Sequence, residues 1–359
     1  MLFMVISGLA TGTAFGFVCQ RGRFCVTSAF RDLYLAKDSK MFIAFLIAIT
    51  VQSIGLFTLS ALNVAKIPTE PFPWLGVITG GFIFGLGMVY SGGCAAGTYY
   101  RAAEGLIGSI TALITFMISA AVMKFGLLSQ FTGEVLSVGY AKTTIYQTFS
   151  LSPWILVSIL ILVTGYLVWN YRKKEKKLYI PEMVPQRKGL NHLLFEKRWH
   201  PFITGILIGV IALAAWPLSL VTGRVGGLGI TTPSANLVVF LVSGNYSVLN
   251  WPVFLVLGIL VGAFAAAKLS GEFKFRTPDT KTMVHSLEGG VLMGVGASLA
   301  GGCSIGNGLV ASAYLSWQGW IAIPSMILGT WAASYLIIIR PMRHPQITTP
   351  HQTQTSASN

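Results

Sequence analysis

Charge is what this chain has least of. Only 10% of its 359 residues are Asp, Glu, Lys or Arg, and 11 acidic residues stand against 25 basic ones. A soluble domain carries about 25% charged residues, so a water-soluble globule is excluded. Cysteine and histidine are scarce too, at 4 and 5 residues. Cys19 and Cys25, in CQRGRFC, have five residues between them and no histidine nearby. Structural zinc wants a tighter pair and more ligands. His192, His200, His285, His344 and His351 fall at span ends or in the tail. There is no Walker loop, no G-x-S-x-G and no H-E-x-x-H, so no cofactor is implied and an ATP-driven pump within this one chain is excluded.

What is abundant is apolar: 53% of the residues are hydrophobic and 40 are glycine. Apolar runs at about 1–18, 41–62, 73–90, 105–125, 150–170, 201–218, 250–268, 284–300 and 317–340 are long enough to cross, or nearly cross, a hydrocarbon core of about 30 Å. The fold class is an all-α polytopic membrane protein with about nine transmembrane helices. Gly8, Gly12 and Gly16 in the first run, with no basic front, do not read as a cleaved signal peptide.

A formal charge of +14 would suggest nucleic acid in a soluble protein, but here its distribution reports orientation. The stretch Tyr171–His200, with nine Lys or Arg against three Glu, is cytoplasmic by the positive-inside bias. The N-terminus is then outside and the C-terminus cytoplasmic. On that register 21 basic residues fall inside, and only Lys66, Lys124, Lys142 and Arg224 fall outside. The lipid bilayer is the partner this implies, and nucleic acid is not.

The run from Gly80, GGFIFGLGMVYSGGCAAG, aligns without a gap on the run from Gly289, GGVLMGVGASLAGGCSIG. Eight positions match at a shift of 209, including Gly92, Gly93, Cys94 against Gly301, Gly302, Cys303. Four spans lie in each copy with one between, so the second copy is inverted relative to the first, a plan that builds a pseudo-symmetric site near the bilayer midplane. The expected organisation is a first repeat half at 1–149, a linking helix and basic loop at 150–200, a second half at 201–340 and a disordered cytoplasmic tail at 341–359. A weaker match sets Gly223–Asn236 opposite Arg21–Phe30.

Each GGC motif ends a glycine-punctuated span, so Ser91, Gly92, Gly93 and Cys94, and likewise Gly301, Gly302, Cys303 and Ser304, are expected where a helix breaks. In hydrocarbon a break needs protein or a water-filled cavity to satisfy its backbone. Glycines such as Gly93 can take positive φ and gather amides at the start of a half-helix, which favours an anion. The other reading of GGC is close helix packing by small residues. Its recurrence in two related copies, each with cysteine after paired glycine, favours a functional loop.

Thiols kept neutral by burial are S–H donors. With backbone amides they form a weak, soft path that suits a large polarisable anion. Arginine supplies charge: Arg101 follows the first GGC loop, and Arg21 and Arg23 either serve the path or only obey the positive-inside bias. Arg224 sits in the second copy. Cys19 is either a path thiol or a small buried hydrophobe. Glu104 and Glu288 are either proton sites, arginine partners or helix caps.

RGRFCVTSAFRD (Arg21 to Asp32), with YSGGCAAGT and LAGGCSIGN, resembles the YeeE/YedE family of inner-membrane sulfur-compound transporters. The resemblance spans nearly the whole chain. It implies an hourglass-like carrier whose central loops, bearing Cys25, Cys94 and Cys303, relay thiosulfate to the cytoplasm by S–H···S hydrogen bonds. It also implies a cytoplasmic sulfurtransferase of the TusA or rhodanese type as a partner. Cys19 is outside the family's pattern. Two further readings stay open: a membrane sulfurtransferase that forms a cysteine persulfide, and a transporter of another sulfur or selenium anion.

Overall fold

The computed structural model describes residues 1–68, 71–139, 143–174, 189, 192–197 and 199–343. Lys142, Arg198, His344, His351, most of the basic loop and the tail beyond Arg343 lie outside the described residues. The described chain is helical, with isolated β-bridges and no strand. In chain order the helices are α1 (Leu2–Arg21), α2 (Val26–Leu35), α3 (Lys40–Ala61), α4 (Trp74–Tyr90), α5 (Ala95–Ala103), α6 (Ile107–Phe125), α7 (Ser129–Ser137), α8 (Ile145–Thr148), α9 (Pro153–Lys174), α10 (Pro201–Leu220), α11 (Thr231–Ser243), α12 (Trp251–Leu269), α13 (Thr280–Leu299), α14 (Trp317–Ser334) and α15 (Arg340–Arg343). A wide-turned half-helix, Ser304–Ala311, stands between α13 and α14.

Eight stretches are long and apolar enough to cross a bilayer, and α13 with the half-helix, bent by 43°, makes a ninth. They follow the nine expected runs in order. Two are longer than hydropathy indicates, reaching Leu35 and Ala103. In each a short polar or glycine-rich interruption is followed by a half-helix, α2 or α5, whose own composition is too polar to register as membrane-spanning.

The helices pair reciprocally. α1 packs on α12 and α10 on α3; α4 packs on α14 and α13 on α6; and α4 and α13 pack on each other. At the central crossing Gly80 lies against Ala300 and Gly296, and Gly87 against Met293 and Gly289. Numbers fall on α13 as they rise on α4, so the two helices are antiparallel. Adding 209 to one member of each contact and subtracting it from the other returns the same set of contacts. That is a two-fold axis perpendicular to both helices, and it makes the repeat an inverted one. The flanking pairs run parallel: Gly12 meets Leu255 and Gly16 meets Ile259 across α1 and α12.

Such crossings exist because lipid offers no hydrophobic drive between helices, so backbones must approach closely enough for dispersion to hold them. A Cβ at Gly12 would fall on the Leu255 carbonyl, and one at Gly87 would lie 2.6 Å from the Met293 amide nitrogen. Neither neighbour can move aside, because each is helix backbone. By contrast α9 is peripheral: Ile159, Leu162 and Tyr166 are exposed, and its buried polar tie is Thr164 to Thr50 at 3.0 Å.

Candidate functional site

Both GGC breaks take the same backbone course. Gly92 and Gly301 have φ of +69° and +71°, the left-handed cap that only glycine takes without strain. It is the first glycine of each pair that turns the chain, not Gly93, the example given from the sequence. Cys94 and Cys303 are then extended and serve as N-caps of α5 and of the half-helix Ser304–Ala311. Because each break follows the C-terminus of one of two antiparallel helices, the breaks sit at opposite ends of the α4–α13 crossing.

Each break faces the N-terminus of one more short helix. At the first, Cys25 is the N-cap residue of α2, and its sulfur and that of Cys94 lie against the same residue, Gly97. The amide of Gly97 donates to the Cys94 sulfur at 3.3 Å. A Cβ on Gly97 would lie 3.0 Å from the Cys25 sulfur and 3.5 Å from that of Cys94. All four cysteines are free and buried. Arg101 folds back from α5 to donate to the Gly92 carbonyl, and its guanidinium lies 5.9 Å from the Tyr100 ring centre.

At the second break Cys303 stands beside the start of α11, where Ile230 occupies the N-cap that Cys25 holds in the first. Here a cavity of about 280 Å³ opens, lined by Cys303, Arg224, Trp216, Thr231, Asn307 and Gln318 among others. Neutral amides replace the arginine: Asn307 Nδ2 donates to the Ala300 and Gly302 carbonyls at 2.7 and 3.1 Å, and Gln318 Nε2 donates to Asn307 Oδ1 at 2.9 Å. Trp216 Nε1 and Thr231 Oγ1 are buried with no hydrogen-bond partner among the described residues. Arg224 donates to the Gly227 carbonyl at 2.8 Å and to Ser219, and no described carboxylate pairs with it. A cavity with unsatisfied donors, a guanidinium and two helix N-termini is built for an anion.

Cys303 therefore does not join the other two thiols. Cys303 lines its own cavity, and in the buried contact of α5 with α11 the Tyr99 hydroxyl and Ser234 Oγ are 2.7 Å apart. The remaining expected residues divide. Ser91 is tied to the Gly87 and Gly93 carbonyls at 2.8 Å each, closing the α4 terminus. Ser304 is buried, and its hydroxyl has no hydrogen-bond partner among the described residues. Arg21 donates to the Leu194 and Lys197 carbonyls at 2.8 and 3.0 Å and so anchors the basic loop. Arg23 pairs with Glu104. Cys19 is fully buried within α1.

The residue reading missed Gly97, Tyr99, Trp216, Thr231, Asn307 and Gln318. Asn307 and Gln318 stand out only as amides within apolar runs, and the rest carry no signal that separates them from packing residues.

An all-helical multi-pass membrane protein with two such paired helix breaks has the architecture of a transport protein. The chain belongs to the sulphur transport family, whose model matches residues 21–332. It is 53% identical, over 97% of its length and 99% of the relative's, to the thiosulfate transporter TsuA of Escherichia coli (strain K12). It is 33% identical, over 94% of its own length and 100% of the relative's, to the thiosulfate transporter TsuA of Spirochaeta thermophila. A further relative, the probable transporter YedE of Salmonella typhimurium, is 31% identical over 45% of this chain and 40% of its own. The chain's role is transport rather than catalysis.

Proposed function

We propose that this protein carries thiosulfate into the cell across the cytoplasmic (inner) membrane. The basic loop and the Arg23 face lie in the cytoplasm, and the Arg224 cavity opens outside. The anion enters the cavity, where Arg224 and the free donors of Trp216 and Thr231 take the place of its hydration shell. It then passes Tyr99 to the Cys25–Cys94 pair and leaves past Arg101 and Arg23. Each thiol offers the terminal sulfur an S–H···S bond, and each half-helix N-terminus adds a partial positive charge.

The observation that carries this reading is the Cys25–Cys94 pair, in which the sulfurs at the starts of two half-helices both lie against Gly97. Sulfate has the same charge as thiosulfate but no soft sulfur, so a path of thiols and amides, rather than bidentate arginine forks, separates the two by that atom. A cytoplasmic sulfurtransferase of the TusA or rhodanese type takes up the product. No residue set in the path favours a persistent persulfide.

The test is growth of an uptake-deficient strain on thiosulfate as sole sulfur source. The chain should rescue growth, and Cys94→Ala and Cys303→Ala should abolish rescue while the protein still inserts in the membrane. Normal rescue by Cys94→Ala removes the relay, and no rescue by the unaltered chain removes thiosulfate.

A further inference from the structure

The ends of α1 and α5 and the loop after α12 meet in a network of side chains on the Arg23 face. Arg23 Nη1 donates to both oxygens of Glu104, at 2.7 and 2.8 Å, and its Nη2 donates to Glu272 Oε2 at 2.6 Å. Gln20 Nε2 donates to that same Glu272 oxygen at 2.7 Å, and Arg21 Nη1 lies 3.7 Å from the other. Two of the chain's 11 acidic residues are thus spent on one guanidinium. The Glu272 loop is fastened to the end of α5 by backbone bonds from Lys274 to Glu104, Arg276 to Gly105 and Ile107 to Arg276. Arg23 reaches this clasp from the elbow between α1 and α2, where it holds φ of +49°.

The position of the network matters. Arg23 stands two residues before Cys25, and Glu104 stands one residue beyond the helix that Cys94 caps. An anion leaving the thiol pair toward this face meets a guanidinium already saturated by carboxylates, with negative charge behind it. Two carboxylates beside a dianion's path repel it, and the bidentate fork that would attract it is occupied. The elements joined come from both repeats, so the network closes only when the two halves are together at this end. At the other end, the Cys303 cavity is open.

We propose that Arg23, Glu104 and Glu272 are the latch that closes the transport path beneath the Cys25–Cys94 pair, and that the two glutamates are positioning residues that hold Arg23 across the exit. The proposal rests on the transport reading above but not on the identity of the anion. The test uses the full chain in sealed vesicles of each orientation. A membrane-impermeant thiol reagent is added at the Arg23 face, and modification of each cysteine is followed by peptide mass mapping.

In the unaltered chain Cys25 and Cys94 should react slowly from this face. Glu104→Gln, Glu272→Gln and the double variant should each raise their rates by about ten-fold or more, as expected for loss of a charge-assisted bond that holds one of two states. The rate at Cys303, read from the opposite face, should not change, which shows the fold is intact. Unchanged rates at Cys25 and Cys94 in the double variant overturn the latch, as does a parallel rise at Cys303. No thiosulfate is present, so failure of the growth rescue and failure of the latch are separate results.

Discussion

Gly97 shows how narrow the margin is at the thiol pair. A methyl there would press on the Cys25 sulfur, 3.0 Å away, and touch that of Cys94, whereas the matching position in the second copy, Gly306, has nothing within 4 Å of its would-be Cβ. Gly97→Ala should destabilise the protein by about 1–3 kcal/mol, the usual range for overpacking. Gly306→Ala should stay within about 0.5 kcal/mol, as a substitution into open space does. Thermal unfolding of the two purified variants compares them directly, and equal loss at both would mean that the pair is not closely packed. The same asymmetry runs through the whole site: one break is held by Arg101, the other by Asn307 and Gln318. A duplicated scaffold has therefore acquired two unlike ends.

At the scale of elements, helix starts decide the chemistry. α5 begins at a thiol that accepts from Gly97, whereas α13 begins at Asp279, whose carboxylate accepts from the Thr282 amide at 3.3 Å and from its hydroxyl. Those bonds hold the Asp279 carboxyl below its ordinary range. A depressed folded value means that the cap strengthens the helix start at neutral pH and is lost as pH falls through that value. Hydrogen exchange at Lys281–Met283 should be faster in Asp279→Ala than in the unaltered chain at pH 7, and the difference should shrink in acid. A constant difference across that range would show that the charged cap is not what orders this turn.

For the whole molecule the consequence is topological. Among the described residues, nine spans counting the bent pair as one, with α1 parallel to α12 and α4 parallel to α14, predict termini on opposite sides of the membrane. Reporters fused to the N- and C-termini should therefore report opposite compartments, with the C-terminal one cytoplasmic. Reporters that agree would break the nine-span alternation and, with it, the inverted relation of the halves. That relation gives the protein two faces built from the same plan, an open cavity at Cys303 and a clasped end at Arg23.

The number of spans, the duplication and the motif that breaks the helices were legible in the sequence, because hydrophobic length and glycine-cysteine spacing are local properties that survive without partners. Cys94 and Cys303 stood out by rarity and by recurrence at a shift of 209, and Cys25 came from the family resemblance; their part in transport is what the growth test decides. The extent of the first and third spans was not legible, because α2 and α5 are too polar to announce themselves.

Which thiols meet was decided by the tertiary structure alone. Antiparallel packing of α4 and α13 drives the two GGC breaks to opposite ends, so Cys94 finds Cys25, 69 positions away in the chain, rather than its own repeat mate. The Arg23 clasp is of the same kind: its two acids lie 81 and 249 residues from it. Sequence sets what each helix can bury and where it must break. Only the packing of one repeat against the other brings distant polar groups close enough to bind one another.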